Sequence, residues 1–134
     1  MREPFGRIQG AIFESYEVGT VIWGIDGDWD VNYIPPQQPF YPTDHCGTLR
    51  VLNDGVNAQY LAFALKAEGS RQRFTRANRA STERVRSLRL YFPPRAAQDE
   101  FTRQVDEINA EIESLQQALV ELDLQRKEII SQYL

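Results

Sequence analysis

Residues 93–134 read PPRAAQDEFTRQVDEINAEIESLQQALVELDLQRKEIISQYL. Proline is tolerated in the first turn of a helix but not in its interior, so Pro93-Pro94 closes whatever precedes it and presets a helix start. Apolar side chains then recur in alternating steps of four and three. Val105, Ile112, Leu119, Arg126 and Tyr133 take the a positions of a heptad, and Phe101, Ile108, Leu115, Leu122 and Ile129 take the d positions. Nine of these ten are apolar. Such a seam returns to one face every 3.5 residues, which is the signature of a coiled coil. A core-facing amphipathic helix would be shorter and carry a wider apolar face. At 1.5 Å per residue the helix spans roughly 60 Å, and an isolated helix is marginal in water. Nothing else in the chain is able to cover the seam, so its mate must come from another copy, another subunit or further polypeptide. Arg126 is the one irregular position, placed to fix register or accept an acidic partner at some cost in stability.

Charge divides at the same junction. The net charge is -4, but residues 1–65 carry -5, residues 66–94 carry +6 and residues 95–134 carry -5. The basic block holds Arg71, Arg73, Arg76, Arg79, Arg84, Arg86 and Arg89. A local positive field attracts phosphates within about a Debye length whatever the global charge. Arginine binds phosphate with a planar fork or reads guanine O6 and N7, and Asn78 is suited to an adenine edge. Arg71, Arg73, Arg76, Asn78, Arg79 and Arg84 are the candidate DNA contacts. The competing reading is a solvated surface loop whose arginines pair with the acidic helix of a neighbour, and Arg86 and Arg89, which flank a predicted strand, suit a structural role.

The first half reads as β structure. Residues 18–23 and 29–34 are short β-branched and aromatic runs separated by Asp26-Gly27-Asp28, which predicts a hairpin with Trp23, Trp29 and Tyr33 in its core. Pro35, Pro36 and Pro39 turn the next stretch into an edge or loop, and residues 47–52 resume an alternating strand pattern. From Asn57 the period becomes helical, with Asn57 as cap and Gly69 as stop, giving a helix over about 57–68. Ser81-Thr82-Glu83 caps a further turn, and residues 88–92 read as a strand. The predicted fold is α+β. A small mixed β-sheet domain with a short helix occupies residues 1–93, and one long coiled-coil helix occupies residues 94–134.

Other chemistry finds little support. The single cysteine, Cys46, forms no intrachain disulfide, so the expected compartment is the cytoplasm. No run of 18 apolar residues predicts a membrane span, and residues 1–6 hold no secretory apolar region. Asp26, Asp28 and Asp30 begin like a calcium loop, but Val31 and Gln37 stand where glycine and glutamate are needed. His45 and Cys46 lack companion ligands for zinc or a base for nucleophilic work. Pro42-Thr43-Asp44 is followed by no spaced acidic-x-Lys, and neither a glycine-rich cofactor loop nor an Asn-Pro-Pro-aromatic motif is present. No cofactor, metal site or catalytic residue is expected.

Residues 17–27, 38–44 and 60–65, then Leu90-Tyr91-Phe92-Pro93-Pro94 with Gln98 and the heptad helix, together resemble the target recognition domain and spacer helix of type I restriction-modification specificity subunits. The order and spacing of these elements, over roughly residues 18–134, carry the likeness more than any single motif. The resemblance implies a non-catalytic module that reads duplex DNA. In that family the helices pair as an antiparallel coiled coil, set the distance between half-targets and dock methyltransferase subunits. This chain departs in having one such helix, and it lacks the opening strand and helix of a recognition domain. The resemblance therefore implies a half-subunit, a truncated copy or a piece of a larger fusion. The rival expectations are a coiled-coil adaptor that binds protein without touching DNA and, with the motifs above missing, a nuclease or methyltransferase.

Overall fold

The computed structural model describes residues 6–8, 11–13, 16–43 and 45–134. Asp44 of the Pro42-Thr43-Asp44 triplet and most of the first six residues lie outside them. The chain divides into two compact units, Met1–Asp99 and Glu100–Leu134.

In the first unit β1 (Gly6–Ile8) and β2 (Ala11–Phe13) form an antiparallel ladder that the sequence reading did not foresee. The main sheet holds β3 (Thr20–Gly24), β4 (Val31–Ile34) and β5 (Cys46–Arg50) in the order β4-β3-β5. The hairpin is where the turn chemistry put it, with Val21 opposite Tyr33 and Trp23 opposite Val31. The sheet pairs antiparallel throughout rather than mixed. β4 and β5 flank β3 on either side, each running antiparallel to it, and so share one direction.

Helix α1 (Ala58–Arg71) packs on β3 and β4. Asn57 caps it, its side chain accepting the Tyr60 N–H. Gly69 does not stop the helix. It lies buried inside, and a Cβ there would stand 2.2 Å from the Trp29 indole, whose Nε1 donates to the Lys66 carbonyl at 2.9 Å. Glycine at this position makes room for a ring, and the helix runs on to its cap at Gln72. Gly47 does the same for Trp23, with a Cβ position 2.1 Å from the ring. Val21, Trp23, Val31, Leu61, Leu65, Phe74 and Val85 are all buried in one core. The Trp23 indole N–H is satisfied by the Ala80 carbonyl at 2.9 Å, which ties the basic segment to the sheet.

Ser81 caps α2 (Thr82–Arg86) as expected. Residues 88–92 keep the alternation, with Leu88, Leu90 and Phe92 half-buried and Arg89 and Tyr91 exposed, but they form no ladder among the described residues. The alternation was legible because it reflects which side chains face the core; a strand also needs a neighbour, and none is paired here. Helix α3 (Arg95–Tyr133) follows Pro94. Its first turn belongs to the first unit and is fixed by Gln98, which is fully buried. The Gln98 amide accepts the Asn57 N–H at 2.8 Å and donates to the carbonyls of Gly55 and Pro93 at 2.9 and 2.8 Å.

The second unit is the remainder of α3. Phe101, Ile108, Ile112, Leu115, Leu119, Leu122, Ile129 and Tyr133 are all exposed, and Val105 is half-buried. Val120 and Leu124, outside the heptad seam, are exposed as well at 61% each. Arg126 pairs with Asp123 one turn earlier on the same helix. Arg103 bridges Glu100 and Glu107 at 2.6 and 2.5 Å, and hydrogen bonding from Arg103 holds the Glu100 carboxyl down at about 2. No helix among the described residues is long and apolar enough to cross a membrane.

Candidate nucleic-acid interface

The basic segment is an ordered loop rather than an open cluster of cations. Arg73 takes a left-handed backbone, φ 59°, directly after the α1 cap, and this turns Phe74 inward to stack edge-on against Trp29 at 5.1 Å between ring centroids. Asn78 then organises the turn. Its Nδ2 donates to the carbonyls of Gln72 and Arg73 at 3.2 and 2.9 Å, and its backbone N–H donates to Thr75 Oγ1 at 3.0 Å. Arg84 reaches back from α2. One guanidinium nitrogen donates to Asn78 Oδ1 and to the Arg79 carbonyl, at 2.6 and 2.7 Å, while the guanidinium lies 4.9 Å over the Phe74 ring. Asn78 and Arg84 thus hold the loop's shape, and the Asn78 amide is already engaged at both ends.

The other arginines divide by partner. Arg71 pairs with Glu68 on its own helix at 2.9 Å. Arg76 pairs with Asp28 at 2.9 Å and Arg79 with Asp26 at 3.4 Å, so the loop meets the β3–β4 turn. The aspartates that looked like the start of a calcium loop serve as counter-ions for arginine, and Asp30 does likewise for Lys66 at 3.2 Å. Asp26 also hydrogen-bonds His45 Nδ1. That bond, with help from the Arg79 charge, holds the Asp26 carboxyl below the ordinary carboxylate range. Burial pushes Asp30 up, but hydrogen bonds from Lys66 and the Val31 N–H outweigh it, and the net direction is down. Arg73 makes no ion pair among the described residues.

The result is an anion-facing surface with internal competitors. Arg71, Arg76 and Arg79 keep 76%, 74% and 68% of their side-chain surface exposed. Exposed ion pairs are worth about 0–1 kcal/mol, so a phosphate able to engage the guanidinium's free N–H groups, or to displace the aspartate, has little to overcome. Of the six residues singled out, Arg71, Arg73, Arg76 and Arg79 present cations outward, while Asn78 and Arg84 support them from behind. The aspartate partners escaped the sequence reading because each lies some fifty residues from its arginine, although three aspartates alternating along one turn beside a basic block was a usable signal. Arg50, Arg86 and Arg89 are also exposed and lie along a separate apolar groove. Comparison with protein-family models, curated proteins and solved structures found no match to this chain.

Proposed function

We propose that this chain is a DNA-reading and spacing module of a restriction-modification system, non-catalytic in itself, acting in the cytoplasm with a DNA methyltransferase subunit. The observation that carries the reading is the pairing of two features in one chain: an outward-facing arginine loop and a long helix whose apolar seam is exposed from Ile108 to Tyr133. The loop arginines engage phosphates, and Arg73, which makes no ion pair among the described residues, leads the contact. The helix pairs with a second copy or a second specificity half, and the paired helices hold two readers at a fixed separation. Selection of bound sequences from a randomised duplex pool, with the full chain and its co-purified partners, tests this. Enrichment of a split target and a methyltransferase in the complex are the expected results. Affinity that neither selects a sequence nor falls with salt would refute the reading.

The intramolecular pairing of Arg71, Arg76 and Arg79 with carboxylates favours a second reading, a coiled-coil adaptor that makes no DNA contact. It predicts that the pool selection returns nothing while the helix still recruits a protein partner.

A further inference from the structure

Away from the arginine loop, the first unit carries an apolar groove of about 690 Å³. Leu61 and Leu65 of α1, Val56 and Val85 line it, together with two further stretches of chain: the end of β5 running on to Leu52, and residues 88–90 with Phe92. Both stretches carry main-chain N–H groups that no other described residue takes up. The Val51 N–H donates to the Gly19 carbonyl at 3.0 Å, and antiparallel pairing alternates along a strand, so the main-chain groups of Thr48 and Arg50 point away from β3. No described residue pairs with those N–H groups, nor with the N–H groups of Arg89, Leu90, Tyr91 and Phe92, whereas Leu88 N–H is used by the Val85 carbonyl. Arg50, Arg86 and Arg89 border the groove, and no acidic side chain lines it. Arg50 lies 4.7 Å over the Tyr16 ring, and Arg86 and Arg89 make no ion pair among the described residues.

We propose that this groove takes an extended segment of a partner protein as an added strand, about five or six residues long, with alternating apolar side chains and acidic residues at its ends. Edge main-chain groups supply affinity in strand addition, and pockets for alternate side chains supply selectivity. The apolar lining suits side chains rather than a phosphate backbone, and Arg86 and Arg89, which make no ion pair among the described residues, select the acidic ends. A second copy of α3 does not fit this role, because a helix satisfies its main-chain groups internally.

The test uses the full chain and two fluorescein-labelled eight-residue peptides of alternating valine and threonine, one ending in Asp-Asp and the other in Lys-Lys at both termini. Anisotropy is expected to show the acidic peptide binding at least tenfold more tightly. Amide hydrogen exchange is expected to slow at Thr48, Arg50 and Leu90. Thr48→Pro, which removes an outward N–H at a sheet edge, and Arg89→Glu, which leaves every main-chain group in place, are each expected to weaken binding tenfold or more. Absence of binding, equal binding of the two peptides, binding without amide protection, or displacement of the peptide by a twelve-base-pair duplex would each overturn the proposal. The last result would assign the three arginines to phosphate.

Discussion

Asn78 and Arg73 sit five residues apart in one loop and do opposite work. Asn78→Ala removes hydrogen bonds to Gln72, Arg73 and Arg84, and the expected loss is about 1–2 kcal/mol of stability, read as a lowered denaturation midpoint. Arg73→Ala removes no such bond and is expected to leave the midpoint unchanged while reducing the salt slope of duplex binding by about one unit. Were the Arg73 variant to bind as well as the parent, the loop would not be the phosphate contact. Gln98→Leu is a sharper residue-scale case. It removes the fully buried Gln98 amide from the Asn57 N–H and from the Gly55 and Pro93 carbonyls in part-buried surroundings, and the expected cost is about 1–3 kcal/mol by chemical denaturation. The lowered carboxylates set the acid side of stability. Asp26, Glu68, Asp99 and Glu100 titrate below their unfolded values, so their contribution is complete above the ordinary carboxylate range. It is lost as pH falls through the depressed values, and the melting temperature should therefore stay level near neutrality and decline from about pH 4 downward. Asp99 and Glu100 are exposed and Asp26 and Glu68 only half-buried, so the decline should be shallow.

Among the elements, α3 carries the clearest expectation. A charge placed mid-seam, Leu115→Asp, should abolish helix pairing by light scattering, because an aspartate at a d position would be buried against an apolar partner. The melting transition of the first unit should be preserved, since Leu115 lies in the other unit. Replacing Arg126 with leucine should strengthen pairing, its present ion pair with Asp123 being local and exposed. The elements that the sequence made legible are the ones specified locally. The long run of α3, the Asn57 and Ser81 caps, and the turn between β3 and β4 each rest on residues a few positions apart. What was misread depends on distant chain. Gly69 looks like a helix stop until Trp29, forty residues earlier, is found lying on it. Residues 88–92 have a strand's alternation without a ladder, and whether Arg76 is free or paired depends on Asp28, 48 residues earlier in the turn between β3 and β4. For the candidate site the residue types were legible and their pairing was not.

At the scale of the whole molecule, a net charge of -4 conceals a basic segment between two acidic ones, and binding to duplex should report the segment rather than the sum. If the arginine loop neutralises three or four phosphates, each contributes a slope of about -0.9 in log affinity against log salt, so affinity should drop by about a factor of forty to a hundred and fifty between 50 and 200 mM salt for one reader. Two readers joined through α3 alter this in a specific way. A pair related by a two-fold axis presents two identical loops, so the selected target should be an interrupted palindrome whose half-sites share one spacing, and the slope should double. Leu115→Asp separates the possibilities without touching the loop: it should halve the slope and erase the spacing constraint while leaving single half-site binding intact. If the slope stays the same when the pair is broken, the second reader contributes no phosphates, and the helix serves to recruit a protein rather than to measure DNA.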